Sequence, residues 1–334
     1  QSRRRERAIT KNAIAEEDIG NLAKLGPETL GTVVTNFGSQ VNIEASEEPM
    51  KGQVVRCHMR ANLDSLVTGD KVIWRFAEPH GVVVARQPRE SELVRPDIYG
   101  KLRPVAANVN LIAIVFAPKP TAFSNLLDRY LVAAEAHGIK PLLVLNKIDM
   151  LHESDYNDIQ QLIDDYTFIG YDIIQVSSKT GEGIEALQDY LADQTAIFVG
   201  QSGVGKSSLI NMIDPELELR TGEISDYTGK GQHTTTFAEM FELEFGGKII
   251  DTPGIKTLSF NYLEPLDVSH NFKEMFKASK GCKFGGDCKH RDEPNCAVKD
   301  GLETGLINEL RYLNYLSILE EVEDQNYWER HTKV

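Results

Sequence analysis

Between residues 31 and 90, apolar and polar side chains alternate in short bursts: GTVVTNF, QVNIEA, QVVRCHM, DKVIWRF and GVVVARQ, separated by polar or glycine-containing turns. A period of two without any sustained helical period predicts β-strands. Five of them in about sixty residues point to a small barrel, for which the OB-fold is the natural candidate. From about residue 105 strand-like and helix-like segments alternate: VNLIAIVFA, SNLLDRYLVAAEAHG, IKPLLVLN, YNDIQQLIDDY, DIIQVSS, GIEALQDYL, TAIFVG and KSSLINMI. That alternation implies an α/β unit, a parallel sheet with helices on both faces. After about residue 265 the strands stop, and helical patterns around SHNFKEMFKASKG and GLINELRYLNYLSILEEVE form a third, smaller unit. The chain therefore divides into an N-terminal tail (1–30), a barrel (31–100), an α/β domain (101–265) and a helical domain (266–334). The stretch DPELELRTGEISDYTGKGQ at 214–232 is polar, bears glycines and lacks an apolar period, so it reads as a long mobile loop.

Composition narrows the class. At 334 residues the chain exceeds what one hydrophobic core usually serves. Its 41% hydrophobic and 26% charged residues are those of a soluble globular protein. The longest apolar run, Leu111 to Ala117, is far too short to span a bilayer, and QSRRRERAITKNAIAEED lacks the apolar core of a secretory signal. The expectation is a cytoplasmic protein without a membrane partner. Its net charge of −14 argues against coating nucleic acid through a general positive field. Any RNA contact is then local: Arg3, Arg4, Arg5, Arg7 and Lys11 form one basic candidate, with a solvated tail as the alternative reading. Of the four cysteines, three (Cys282, Cys288, Cys296) cluster beside His290, which in a reducing compartment favours a metal over disulfides.

The chemistry begins at residues 197–211, IFVGQSGVGKSSLIN. Gly200, Gln201, Ser202, Gly203, Val204, Gly205, Lys206 and Ser207 fit the pattern G-x-x-x-x-G-K-[ST], with a strand before and a helix after. Such a loop turns backbone N–H groups around phosphate oxygens at a helix N-terminus. Lys206 would neutralise the outer phosphates, Ser207 would ligate Mg²⁺, and Ser208 extends the cradle.

A base-reading motif precedes it. Asn146, Lys147, Ile148 and Asp149 (NKID) follow the apolar run PLLVL. A carboxylate there accepts both the ring N–H and the exocyclic amine of guanine, whereas adenine would leave it without donors. The run SSKTGEG, also at a strand end, adds Ser177, Ser178 and Lys179; Ser178 would offer its N–H to the guanine carbonyl and Lys179 would pack beside the base. DTPG, Asp251 to Gly254, follows GGKII, as expected for an aspartate holding Mg²⁺ through water and a glycine sensing the γ-phosphate.

Each motif begins where a predicted parallel strand ends, so all four gather on one edge of the sheet. The usual small GTPase order is phosphate loop, switch threonine, DxxG, NKxD, SAK. Here it is NKID, SSK, phosphate loop, TTT, DTPG, a circular permutation. A permuted chain can build the same pocket because domain termini commonly lie close together. The segment after DTPG then runs directly into the C-terminal unit, so nucleotide state and the orientation of that unit should be coupled.

The residue after DTPG is Ile255, where many regulatory GTPases carry a glutamine that orients water; slow intrinsic turnover follows. His233 is the candidate substitute, with a solvent-exposed loop histidine as the bland alternative. One of Thr234 or Thr235 adds the second Mg²⁺ hydroxyl, and the residues do not decide which. Cys282, Cys288, His290 and Cys296 supply three thiolates and an imidazole, the complement of a closed tetrahedral structural Zn²⁺ site. In the barrel, Arg56, Arg60, Lys71, Trp74, Arg75, Phe76 and Arg86 are possible RNA contacts, although alternation would send Trp74 and Phe76 to the core.

In motif order and domain order the chain resembles the RsgA (YjeQ) family, circularly permuted GTPases dependent on the small ribosomal subunit. The similarity covers GQSGVGKSS, HTTT, DTPG, the barrel and the cysteine cluster, and extends over nearly the whole chain. The family pattern has a slightly shorter first cysteine spacing, so Gly285–Gly286 looks like a one-residue insertion. The resemblance implies GTP hydrolysis to GDP stimulated by the small ribosomal subunit, a role in its late maturation, contact with its rRNA and one structural Zn²⁺. A monomer is the expectation for the assembly, on which the residues themselves are silent.

Overall fold

The computed structural model describes residues 25–60, 63–97, 99, 101–121, 123–217, 238–251 and 263–331. Its first five strands are β1 (Glu28–Asn36), β2 (Gln40–Ala45), β3 (Val54–Met59), β4 (Lys71–Ala77) and β5 (His80–Arg86). They pair in the order β1-β2-β3-β5-β4 and close through β4 onto β1, with β3 and β5 the one parallel neighbour pair. This is the expected five-stranded barrel. Alternate residues point inward: Val33, Val41, Ile43, Val55, Cys57, Val72, Trp74 and Val83 form its core. Trp74 is fully buried, and its indole N–H donates to the Leu30 carbonyl at 3.2 Å. Phe76 is only half-buried, at the mouth of that core.

A hairpin that alternation does not announce follows, β6 (Glu92–Pro96) and β7 (Leu102–Ala107). Prolines at 96 and 104 disguise it as a linker. It is tied to the barrel by Arg89, whose guanidinium donates to both oxygens of buried Asp70 (2.7 and 2.8 Å) and to Glu92 (2.8 Å).

The α/β domain contains β8 (Leu111–Phe116), β9 (Lys140–Leu145), β10 (Asp172–Gln175), β11 (Thr195–Val199), β12 (Glu239–Glu242) and β13 (Lys248–Asp251). Their order is β10-β9-β8-β11-β13-β12, all parallel except β12. Every residue of β8 is buried because both faces are covered: Ile112, Ile114 and Phe116 enter one core, Leu111, Ala113 and Val115 the other. The described helices here are α1 (Ser124–Ala136), α2 (Glu153–Ile169), α3 (Ile184–Leu191) and α4 (Lys206–Ile213). The barrel joins the same sheet where Thr35 of β1 pairs with Glu239 of β12; Thr68 Oγ1 donates to the Ala238 carbonyl at 2.8 Å beside it.

Helices α5 (Lys273–Ser279), α6 (Ala297–Glu303) and α7 (Glu309–His331) complete the chain. Their apolar core is continuous with that over α1: Leu131 and Val132 share one cluster with Phe272, Met275, Tyr315, Ile318 and Val322. A buried polar junction stitches the contact. Asp128 of α1 accepts from Arg311 and Asn314 (2.6 Å) of α7 and from Tyr166 of α2 (2.6 Å), while Arg311 also grips Glu274 of α5 at 2.8 and 2.9 Å. Three donors converge on Asp128 and offset in part the burial that pushes its carboxyl above the usual range. Losing one member would strand a buried charge, at a cost of about 3–5 kcal/mol.

Candidate nucleotide and metal sites

Strand polarity decides where the motifs fall. Asn146 follows β9, Ser177 lies two residues past the end of β10, Gly200 follows β11, and Asp251 ends β13. Because these strands are parallel, all four ends share one edge of the sheet.

Side chains then lock the motifs together. Fully buried Asn146 donates through Nδ2 to the Val204 carbonyl (3.0 Å) and Ser178 Oγ (3.3 Å), and its Oδ1 accepts the Ser178 N–H (3.0 Å). One amide therefore ties NKID, SSK and the phosphate loop. Lys147 Nζ donates to the Gly203 carbonyl (2.5 Å) and to the Lys119 carbonyl (3.1 Å), bringing in the β8–α1 connection as a fourth partner. Ser177 Oγ donates to Asp149 Oδ1 at 2.6 Å and fixes its carboxylate; Lys179 Nζ lies 4.0 Å from Oδ2 and is largely exposed. The Ser178 N–H, expected to face a base, here serves Asn146, so the asparagine sets the height of that loop.

The phosphate loop wraps round its own lysine: Lys206 Nζ donates to the carbonyls of Gly200 (2.7 Å) and Gln201 (2.8 Å). Gly205 is the N-cap of α4, whose first residue is that lysine. Ser202, Ser207 and Ser208 are exposed and Val204 is buried beneath them, so the hydroxyls stay available while the loop is anchored from below. Asp251 stands opposite Glu239 across β12 and β13. Burial, and after it the Asp251 charge, push the Glu239 carboxyl above its usual range. His233, Thr234, Thr235 and Gly254, with Thr236, Ile255 and most of the 214–232 loop, lie outside the described residues.

Cys282, Cys288, His290 and Cys296 are all buried, and their ligand atoms lie within 4.8 Å of one another. Cys282 Sγ is 3.9 Å from Cys296 Sγ and 3.7 Å from His290 Nδ1, which lies 3.3 Å from Cys296 Sγ. Bonds of about 2.3 Å to sulfur and 2.0 Å to nitrogen give tetrahedral edges of about 3.5–3.8 Å, so the donors fit a zinc-sized ion at their centre. Burial pushes the Cys288 thiol up to about 12 and the Cys296 thiol upward. The cluster is braced from α7, where Tyr312 Oη donates to the His290 carbonyl (2.5 Å) and Tyr315 Oη to the Lys289 carbonyl (2.6 Å).

Two elements of the site carried no signal in the sequence. The Lys119–Pro120 connection has no motif, and the Asp128–Arg311 pair joins residues 183 apart in the chain. Among the described residues no helix is long and apolar enough to cross a membrane.

Comparison with known proteins agrees with this geometry. A family model described as RsgA GTPase matches residues 86–261. The small ribosomal subunit biogenesis GTPase RsgA of Pseudomonas fluorescens is 47% identical over 328 residues, spanning 98% of this chain and 95% of that protein. YjeQ from Thermotoga maritima superposes with a TM-score of 0.75 at 34% identity, over 89% of this chain and 99% of that one. YloQ, a circularly permuted GTPase, gives 0.73 at 30% identity, over 90% and 96%. With a family model matched over residues 86–261 and a relative matched almost end to end, the chain belongs to the RsgA GTPase family.

Proposed function

We propose that this protein binds GTP along the strand-end edge, hydrolyses it to GDP and phosphate, and does so on the small ribosomal subunit during its maturation. The observation that supports the reading is the Asn146 amide, which bonds to both the Ser178 N–H and the Val204 carbonyl and so ties NKID to the other two segments. Asp149, oriented by Ser177, would accept the two guanine donors, and Lys147 would cover the base. The amides of residues 200–208 and Lys206 would hold the phosphates. Ser207 directly, and Asp251 through water, would hold Mg²⁺, which neutralises charge on the β- and γ-phosphates when bound. Gly254 would sense the γ-phosphate, one of Thr234 or Thr235 would supply a hydroxyl, and His233 would orient the attacking water.

The cysteine cluster would hold one Zn²⁺ in a closed, structural site. The partner would be the small ribosomal subunit, whose biogenesis is the setting named for the Pseudomonas relative, and the contact would include its rRNA. The protein would act in the cytoplasm as a monomer. Hydrolysis measured at saturating GTP against rising concentrations of small subunits tests the proposal: a many-fold rise is expected, and a flat response would refute the ribosomal assignment. His233→Ala should abolish that rise with nucleotide affinity intact; unchanged stimulation would remove His233 from the mechanism.

A further inference from the structure

The connection between the nucleotide edge and the metal-bearing unit was expected to run through the chain after DTPG. The described residues contain a second, independent route through α1. Resting on the nucleotide-binding reading above, we propose that α1 is a shared lever between the phosphate loop and the metal unit, with Asp128, Arg311 and Asn314 as its positioning residues.

One face of α1 and the turn before it meet the loop. Phe123, Leu127 and Tyr130 line a cavity whose other wall includes Gln201 and Val204 of the phosphate loop. Lys147 Nζ bridges the carbonyls of Gly203 and Lys119, so the loop and the entry to α1 share a cation. The opposite face meets α7. Ser124 and Asp128 both accept from Asn314 (3.1 and 2.6 Å), Asp128 takes Arg311, and Arg129 donates to Glu321 at 2.5 Å. Asp128 is fully buried and Arg311 is 3% exposed, so water cannot substitute for either.

From there α7 reaches the metal cluster in a single step. Arg311 and Asn314 face α1; their immediate neighbours Tyr312 and Tyr315 hold the His290 and Lys289 carbonyls. A shift of α1 by a fraction of an ångström cannot be absorbed in so densely packed a junction and must be passed on or resisted. By reciprocity, the docking of α7 must bias the phosphate loop to the same degree that the nucleotide biases α7.

Hydrogen exchange of α7 in the full-length, metal-loaded protein, with and without saturating GDP or a non-hydrolysable GTP analogue, tests this. In the wild type, nucleotide should change exchange in residues 309–322 by about threefold or more. Asp128→Asn sets two amide donors against each other at Asn314 and should abolish that change while GDP still binds. The reciprocal double variant Asp128→Asn, Asn314→Asp restores donor against acceptor and should recover it, an outcome a general loss of stability would not produce. A wild type that binds nucleotide with no change in α7 exchange overturns the lever even if no variant folds. So does a change that survives in a folded Asp128→Asn. Failure to bind nucleotide at all would instead refute the underlying functional reading.

Discussion

Alanine at two glycines of one loop isolates what the Asn146 bridge contributes. Gly203 and Gly205 both hold left-handed backbone, with φ of +84° and +91°. Forcing a Cβ into that conformation costs roughly 1–2 kcal/mol at either position. Their surroundings differ. A Cβ on Gly203 would meet Pro120 Cδ at 3.7 Å, an ordinary contact, whereas one on Gly205 would come within 2.6 Å of Asn146 Nδ2. Asn146 cannot yield freely, because it is fully buried and moving it breaks its bonds to the Val204 carbonyl and the Ser178 N–H. Stranding a buried polar group costs about 1–3 kcal/mol. Gly205→Ala should therefore destabilise the nucleotide-free protein by about 2–5 kcal/mol and Gly203→Ala by only about 1–2 kcal/mol. Urea unfolding at constant m-value measures both. Equal losses would mean that the amide bridge contributes nothing to holding the motifs together.

Three further perturbations address other parts of the molecule. Asp149→Asn replaces an acceptor of two guanine donors by an amide; GTP affinity should fall by about 100-fold or more, and xanthosine triphosphate, with a carbonyl in place of the amine, should gain. Competition binding reads this, and an unchanged ratio of the two affinities would dismiss Asp149 as the base reader. Purified protein should carry one zinc per chain by elemental analysis. Chelation or Cys296→Ser should unfold α6 and the cluster, since structural zinc supplies on the order of 10 kcal/mol or more of apparent binding energy, and a metal-free protein with a protected α6 would exclude the structural role. His137 is neutral in the fold: burial lowers its pKa, Nδ1–H donates to the Ala133 carbonyl (2.6 Å) and Nε2 accepts the Val94 N–H (3.3 Å). The unfolded chain takes up the proton first, so stability falls as pH drops below about 6.5, by at most about 1.4 kcal/mol per pH unit. His137→Gln should flatten that slope in urea titrations between pH 7.5 and 5.5; an identical slope would show that the histidine is not responsible.

Local pattern revealed what local physics controls. The barrel strands alternate because one face of each is wet, and all five were legible; the apolar run LIAIVF reads as a strand buried on both sides and is one. The strand ends that carry NKID, SSK, the phosphate loop and Asp251 were legible because each motif is a short contiguous segment that follows an apolar run. What escaped notice is nonlocal or atypical. Pro96 and Pro104 hid the β6–β7 hairpin, although Leu93 and Ala106 are core residues. Asp128 and Arg311 belong to no motif and lie far apart in the chain, and only the packing of α7 on α1 makes them a buried pair. The same packing joins the apolar core of the third, smaller unit to that of the α/β domain in one cluster.

The permutation has a mechanical consequence beyond motif order. Strand β11, which delivers the phosphate loop, lies inside the sheet between β8 and β13. The C-terminal unit grips α1, the helix that follows β8. The barrel grips the start of β12 through Thr35 and Thr68, and the start of β13 through the Lys248–Glu44 ion pair at 3.0 Å. Both added units therefore brace elements within two strands of the loop, one on each side. An attachment at β10, the outer edge, would have left two strands of slack between itself and β11. A surface that engaged the barrel and the metal unit at once would thus strain or relieve the nucleotide edge from both flanks, without touching the nucleotide. This is the property a GTPase needs if docking on a large particle is to set its rate.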